Sequence, residues 1–359
     1  MVLFSGIMLV IIFLALILYA NKSKGKKICY CIFMSASFLI LLIISGCRAF
    51  NIGTDTPMFV RAYYRLNTFQ AISNTYTERF ELGYRIMNAV LNQISSSPHL
   101  LLFVSALITL ALFYYVFHKQ SKYPAMSVFM FVSLMFYCNS MCLLRQYLAM
   151  AICSLAIMML NENKKFKFTL LVLLASLFHS SAIIVLILLP MMKLKITKQN
   201  RFKLCFLSII VMLLGNQLIT VLIKVLPQYT SYLSSEKYYL ENQLGSILKA
   251  GLQIIMFIII NMYFKDEKDD PFYKVGYLCA LIATDVSVIS IQGAVLERMG
   301  FYFSVINCIS IPNVLNTINC KRDKYIISLL FILLCLAYYF VVLFLRPYWS
   351  GVIPYVFWN

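Results

Sequence analysis

The run YIISLLFILLCLAYYFVVLFL fills residues 325–345 and contains no charged side chain. An α-helix rises about 1.5 Å per residue, so about 20 consecutive apolar residues are enough to cross the ~30 Å hydrocarbon core of a bilayer. Lys321, Arg322 and Lys324 stand immediately before the run. We therefore predict that residues 325–345 form a membrane-spanning helix whose first end faces the cytoplasm.

Apolar runs of this kind recur along the chain. Of all residues 62% are hydrophobic and only 12% are charged, and the mean hydropathy is +0.84. A soluble domain carries about twice that charged fraction. The composition excludes a disordered chain, a secreted disulfide scaffold and a nucleic-acid-binding domain, and it predicts an all-α, polytopic integral membrane protein. The other runs occupy residues 2–20, 28–45, 99–117, 125–141, 147–160, 169–190, 204–226, 247–264, 275–293 and 301–318.

Short lysine-rich segments give the predicted orientation. The basic turn at 21–27 should be cytoplasmic, which places the N-terminus outside. The run 169–190 has basic loops on both sides, so we expect a broken hairpin with its tip at residues 179–181. This gives about 12 spanning or half-spanning helices, both termini outside, and one membrane domain over 1–359. It also gives a long external loop at 46–98, with interfacial helices near 57–70 and 82–95, and a second external loop at 227–246.

The arginines do not follow the lysines. Predicted cytoplasmic segments hold 18 of the lysines but only Arg201 and Arg322. Arginine outside has a different use, since its planar guanidinium binds phosphate or carboxylate bidentately and stays charged when partly buried. These residues either bind lipid head groups and local carboxylates, or hold an anionic ligand at membrane depth. The external arginines are Arg48, Arg61, Arg65, Arg79, Arg85, Arg145, Arg298 and Arg346.

Several polar motifs lie in these external segments. RAFNIGTDT fills residues 48–56, FELGY fills 80–84, and LFHSSA fills 177–182. Asn139, Arg145 and Gln146 lie near helix ends, RMGFYF fills 298–303, and Pro354-Tyr355 comes last. In this order and spacing, from about residue 45 onward, the chain resembles the EpsG family of Wzy-like exopolysaccharide and O-antigen polymerases.

The resemblance implies a GT-C-like membrane glycosyltransferase in a bacterial plasma membrane. Such an enzyme joins repeat units carried on undecaprenyl pyrophosphate at the outer face, for capsule, O-antigen or exopolysaccharide synthesis. The lipid-linked oligosaccharide would be both donor and acceptor, and the bilayer, a flippase and a chain-length regulator would be its other partners. No nucleic acid is expected. Two other activities stay open, a lipid-linked oligosaccharide flippase and a membrane O-acyltransferase that modifies the glycan.

The chemistry of glycosyl transfer points to individual residues. Negative charge develops on the departing pyrophosphate, so fixed cations should stabilise it. Arg145, Arg298 and Arg48 are the predicted pyrophosphate-binding residues, with Gln146 bonding a phosphate or a sugar hydroxyl. No acidic pair or His/Asp cluster has metal-ligand spacing, so we expect transfer without a metal or a cofactor.

The attacking hydroxyl needs a proton acceptor, and three residues could serve. His179 is one candidate, because a neutral imidazole can lie at membrane depth; it could instead be a hydrogen-bonding residue at a helix break. Glu81 and Asp55 are the carboxylate alternatives. Asp55 follows Gly53 and Thr54 and could equally cap a helix or an Asx turn.

Overall fold

A computed structural model describes residues 1–20, 26–73, 79–215, 217, 236–264, 271–291, 294–347 and 350–358. Residues 21–25 of the predicted basic turn at 21–27 and residues 227–235 of the second external loop lie outside this part. The regular elements of the described residues are helices, and an isolated antiparallel bridge joins Arg48 to Phe357. The all-helical architecture that the apolar runs predict is confirmed.

Sixteen α-helices and two 3-10 helices make up the described chain. In order they are α1 (Val2–Ala20), α2 (Lys26–Gly46), α3 (Thr56–Arg65), a 3-10 helix (Gln70–Ser73), α4 (Leu82–Ile94), α5 (His99–Gln120), α6 (Pro124–Ser133), α7 (Phe136–Cys142), α8 (Leu144–Asn161), α9 (Lys165–Ser176), a 3-10 helix (Ser180–Ile187), α10 (Leu188–Met191), α11 (Lys198–Leu213), α12 (Glu236–Met262), α13 (Pro271–Ile289), α14 (Ala294–Ser304), α15 (Asn307–Thr317) and α16 (Lys321–Leu345).

Seven helices of the described residues are long and apolar enough to cross a membrane. They are α1, α2, α5, α8, α12, α13 and α16. An eighth span is available if α6 and α7 count as one, although they meet at a bend of 56°. At this bend Met135 adopts a left-handed backbone conformation with φ of 65°. The chain is therefore a polytopic membrane protein; the number twelve and the external termini stay predictions.

The helices fall into two compact units. The first contains residues 1–156, 169–183 and 329–359, and the second contains 157–168 and 184–328. In the first, α2 packs on α1 and α5, and α1 also packs on α6. In the second, α13 packs on α11, α12, α14 and α15. The prediction of a single membrane domain stays untested.

The structure has helices α3 and α4 in the ranges of the long loop where the sequence predicts them, and their interfacial position stays a prediction. Their apolar faces share a buried cluster with the starts of α5 and α8. This cluster holds the two helices in fixed positions beside the break that follows α9. Its fully buried members are Phe59, Ala62, Tyr63, Phe80, Tyr84, Leu91, Leu101, Leu102 and Leu144.

Candidate functional site

The predicted break at residues 179–181 exists and is joined to the start of α4. Helix α9 ends at Ser176, and the next 3-10 helix begins at Ser180. The backbone amide of Gly83 donates to the carbonyl oxygen of Leu177 at 2.8 Å, and that of Tyr84 donates to the same oxygen at 3.3 Å. These bonds satisfy two of the amides that the first turn of α4 leaves open.

Gly83 makes this close approach possible. A Cβ atom at this position would lie 2.8 Å from the Leu177 oxygen and 2.9 Å from the Leu177 Cβ. Real Cβ contacts essentially never become this short, so any larger residue would push α4 away from the break. The glycine in FELGY therefore sets the distance between Glu81 and the LFHSSA segment.

Glu81 is the centre of the cluster that results. It occupies the N-cap position of α4, yet its side chain makes no capping bond to its own helix. Its Oε2 atom accepts from Nη1 of Arg145, and its Oε1 atom accepts from the backbone amide of Ser180 at 3.0 Å. The Nδ1 atom of His179 lies 3.3 Å from the same Oε1. We call Glu81, Arg145 and His179 the polar triad.

All three side chains of the polar triad remain within reach of solvent or ligand. The exposed fraction is 17% for both Arg145 and Glu81, and 23% for His179. They come from three distant parts of the sequence: the start of α4, the start of α8 and the break after α9. The structure thus brings together three of the seven site residues that the sequence predicts.

Aromatic rings surround the Arg145 guanidinium. Its Cζ atom lies 4.9 Å from the ring centre of Phe80, 5.7 Å from that of Tyr84 and 5.9 Å from that of Phe59. Cation–π attraction of this kind favours a charged guanidinium in a site that excludes water. In the part of the chain that the structure describes, the buried Nε atom of Arg145 has no hydrogen-bond partner. The ion pair with Glu81 therefore leaves part of the donor capacity of Arg145 unused.

The pKa of Glu81 shows how strongly the triad favours its anion. Burial alone would raise this pKa, but the hydrogen bond with His179, the positive charge of Arg145 and the Ser180 amide together lower it from 4.5 to about 2. Glu81 is therefore ionised at every physiological pH and can only accept hydrogen bonds.

The 3.3 Å contact with Glu81 favours one tautomer of His179. Because the carboxylate beside Nδ1 accepts only, a neutral imidazole places its proton on Nδ1 and leaves a lone pair on Nε2. An imidazole oriented by a carboxylate in this way is the arrangement that general bases use in hydrolases. The triad can thus accept a proton at Nε2 of His179.

Arg48 occupies a different environment. Its side chain is 1% exposed, Nη1 donates to the carbonyl oxygen of Ser45, and Nη2 donates to that of Met141 at 3.1 Å. These carbonyls belong to the last turns of α2 and α7, where the helix dipoles are negative. Burial lowers the pKa of Arg48 from 12.5 to about 10, so it stays charged. Arg48 joins two helix ends in this structure and does not face the polar triad.

The remaining predicted site residues are Asp55, Gln146 and Arg298. Asp55 is half-buried at the N-cap of α3 without a capping bond, and among the described residues no ion pair links it to the triad. Gln146 follows Arg145 but is only 3% exposed. Arg298 is exposed on α14 in the second unit, where its neighbour Glu297 pairs with Lys249.

Sequence reasoning missed the aromatic surroundings of Arg145 and the role of the Ser180 amide. Phe80 and Tyr84 flank Glu81 inside the FELGY motif, so their proximity to its partner could have been inferred once the pairing was known. Phe59 carried no such signal, since its ring reaches Arg145 only through the packing of α3. Among the described residues, no group of three or more His, Cys, Asp or Glu side chains could hold a metal ion.

Comparison with known proteins gives one clear result. The family model described as the EpsG family matches residues 31–357. No curated protein and no solved structure matches the chain. The match includes the whole polar triad, Arg48, Asp55, Gln146 and Arg298.

Proposed function

Because the chain belongs to the EpsG family, a family of Wzy-like polymerases, we propose that it joins undecaprenyl-pyrophosphate-linked repeat units into a polysaccharide at the outer face of the plasma membrane. The coarser conclusion, a membrane polysaccharide polymerase of the glycosyltransferase kind, follows from the family. The single observation that carries the finer proposal is the polar triad, which places an imidazole and a partly exposed guanidinium on the same carboxylate.

Within the polar triad, His179 is the residue proposed to activate the acceptor. A hydroxyl of the acceptor sugar attacks the anomeric carbon of the donor glycan, and Nε2 of His179 takes the hydroxyl proton. The new carbon–oxygen bond forms as the bond between the anomeric carbon and the pyrophosphate oxygen breaks. Glu81 keeps the imidazole oriented and stabilises the imidazolium that forms, as a buried carboxylate does for a catalytic histidine.

Arg145 is the residue proposed to stabilise the leaving group. The electron pair of the broken bond leaves with the undecaprenyl pyrophosphate, and a preorganised cation lowers the energy of that charge. Arg145 is suitable because the surrounding rings fix its position and 17% of its side chain remains exposed. We retain Arg298 as a second candidate cation because its side chain is exposed. Fixed arginines replace a divalent cation in this proposal, so a chelator should not stop the reaction.

The buried residues receive supporting roles. Arg48 keeps the ends of α2 and α7 together, and Gln146 is buried next to the residue that we propose for phosphate binding. Asp55 remains a weaker candidate for the base than His179, because among the described residues no ion pair orients it. The outer-face location requires the break at 179–181 to face outward, as in the predicted topology of about twelve elements with both termini outside.

A deletion strain tests the function as a whole. We expect single repeat units on the lipid carrier at the outer leaflet in place of polymer, restored to polymer by the wild-type gene. Repeat units trapped at the cytoplasmic leaflet would show a flippase instead. Unchanged polymer length with altered acetylation would show an acyltransferase.

Labelling tests the location. A cysteine placed at Ser181 in a cysteine-free background should react with a membrane-impermeant maleimide added to intact spheroplasts. A cysteine at Lys165, in the basic segment that begins α9, is the matched control and should react only after lysis. Reaction of the Ser181 position only after lysis would contradict the outer-face proposal.

A further inference from the structure

A stack of three rings lies at the start of α5, formed by Phe50, His99 and Trp358. The rings of Phe50 and His99 have centroids 4.0 Å apart with planes at 19°, and those of His99 and Trp358 are 3.8 Å apart at 18°. His99 is buried in the middle, with 8% of its surface exposed. Trp358 is the outer member and is 54% exposed. The indole therefore covers the imidazole with one face and leaves much of its own surface uncovered.

The backbone holds Trp358 in this position. Its amide donates to the carbonyl oxygen of Cys47 at 2.9 Å, and the amide of Ala49 donates to the carbonyl oxygen of Val356 at 3.0 Å. These bonds flank the antiparallel bridge between Arg48 and Phe357. The hydroxyl of Tyr355 also donates to the carbonyl oxygen of Ile44, at 2.5 Å. The indole is thus ordered before any ligand arrives, which reduces the entropy that binding would cost.

From this arrangement we infer that the uncovered face of Trp358 binds one sugar ring of the glycan. The inference rests on the proposed function, since it assigns a further binding position to the same substrate class. A pyranose presents a face of C–H groups that packs on the electron-rich face of an aromatic ring, while its hydroxyls stay in water. A flat indole that is rigid and open on one side offers such a surface. A growing chain bound at Trp358 would be retained between successive additions.

The alternative occupant is the lipid interface, where tryptophans are frequent. Phe357 provides an internal comparison. It is 47% exposed and precedes Trp358, and successive side chains along an extended segment point to opposite sides. Phe357 packs edge-on against Tyr355 and is not part of the stack. Phe357 is therefore the control for Trp358, because it is an exposed ring next in sequence that lies outside the stack.

Fluorescence can separate the two occupants, because the sequence contains only two tryptophans, Trp349 and Trp358. In the Trp349→Phe variant, reconstituted in phosphatidylcholine nanodiscs, emission comes from Trp358 alone. The probe is the polysaccharide secreted by the host strain, freed of lipid, with dextran of equal size as the control. We expect the polysaccharide, but not dextran, to protect Trp358 saturably from quenching by acrylamide.

Brominated phosphatidylcholine provides the opposing measurement. Weak quenching by brominated lipid together with protection by the polysaccharide supports the inference. Strong quenching by brominated lipid without protection by the polysaccharide overturns it and places Trp358 in the lipid interface.

Substitutions then measure the contribution of the ring. We expect Trp358→Ala to raise the dissociation constant for labelled polysaccharide by about three- to tenfold, as loss of one aromatic contact predicts. Trp358→Phe should recover part of this loss and Phe357→Ala should leave binding unchanged. In cells, Trp358→Ala should shorten the polymer without abolishing it. Equal effects of Trp358→Ala and Phe357→Ala would contradict the inference, whereas a deletion strain that still makes polymer would contradict the proposed function itself.

Discussion

Arg145 and Arg48 belong to the same compact unit and to the same predicted set of phosphate-binding residues, yet their surroundings differ in kind. Arg145 is partly exposed, pairs with the carboxylate of Glu81 and lies among three aromatic rings. Arg48 is fully buried, and its two Nη atoms donate to backbone carbonyls. One guanidinium is therefore available for a ligand, whereas the other is used to hold the fold.

The comparison shows that the position of an arginine in the sequence does not by itself determine its role. Both residues follow or begin an apolar run, and the predicted topology places both outside. What separates them is their partners. A guanidinium on two helix C-termini is balanced by the dipoles of those helices and needs no ligand. A guanidinium beside a carboxylate, an imidazole and an open surface belongs to an arrangement that can carry out acid–base chemistry.

The test with the largest expected effect removes His179, the proposed base beside Glu81 and Arg145. His179→Ala should lower the polymerisation rate by about 10²–10⁴-fold, the usual contribution of general acid–base catalysis. The measurement is polymer formed per inserted protein, from gels of labelled glycan and quantitative immunoblots. His118→Ala is the matched control, because the Nδ1 atom of His118 bonds to Tyr30 at 2.6 Å and has no carboxylate partner in the described residues. Equal losses in both variants would refute the role of His179.

The next test keeps the charge of Arg145 but removes its planar geometry. Arg145→Lys should reduce polymer formation by about 10²–10³-fold, as loss of a preorganised donor to a developing anion does. The amount of inserted protein and its melting temperature in detergent should change little. Activity close to wild type would show that a point charge is sufficient and that bidentate binding is not used.

Arg48 should respond in the opposite way. Arg48→Met keeps much of the side-chain volume but leaves the carbonyls of Ser45 and Met141 without their donor. The Met141 carbonyl keeps a 3.3 Å contact with the Thr56 hydroxyl, so the main loss is at Ser45. The free energy of unfolding should fall by about 1–3 kcal/mol, the cost of one unsatisfied buried carbonyl. The melting temperature reports this loss, and the rate per folded molecule should stay within a few-fold of wild type. A variant with normal stability and no activity would contradict the structural role and indicate that Arg48 binds substrate.

The sequence predicts the fold class and part of the site. Uncharged runs such as 325–345 identify the helices because a helix satisfies its own backbone hydrogen bonds inside the bilayer. The break near His179 is predicted because one run has basic loops on both sides. The pairing of Glu81 with Arg145 could not be derived in the same way, because it depends on how α3, α4 and α8 pack. The burial of Arg48 also depends on packing, since it requires the ends of α2 and α7 to meet at one side chain.

A glycine substitution tests whether the triad depends on that packing. Gly83→Ala places a methyl group against Leu177, which should cost about 1–3 kcal/mol through displacement of α4. Polymer formation should fall because Glu81 moves away from His179, while Arg48 and its partners stay in place. Gly251→Ala is the matched control. Nothing lies within 4 Å of the added Cβ there, so stability should stay the same or rise slightly.

The smallest expected effect is a pH dependence that separates the two arginines once more. The pKa of Glu81 is lowered from 4.5 to about 2, so the folded state binds its proton less tightly than the unfolded chain. The stability that Glu81 contributes is therefore fully present above pH 4.5 and is lost as the pH falls towards 2. The difference in melting temperature between wild type and Glu81→Gln should be constant from pH 8 to pH 5 and then shrink. The difference between wild type and Arg48→Met should persist through the same acid range, because the partners of Arg48 in the described residues are backbone carbonyls, which do not titrate. A Glu81→Gln difference that disappears already near pH 6 would mean that the ion pair with Arg145 does not hold the carboxylate in its charged form.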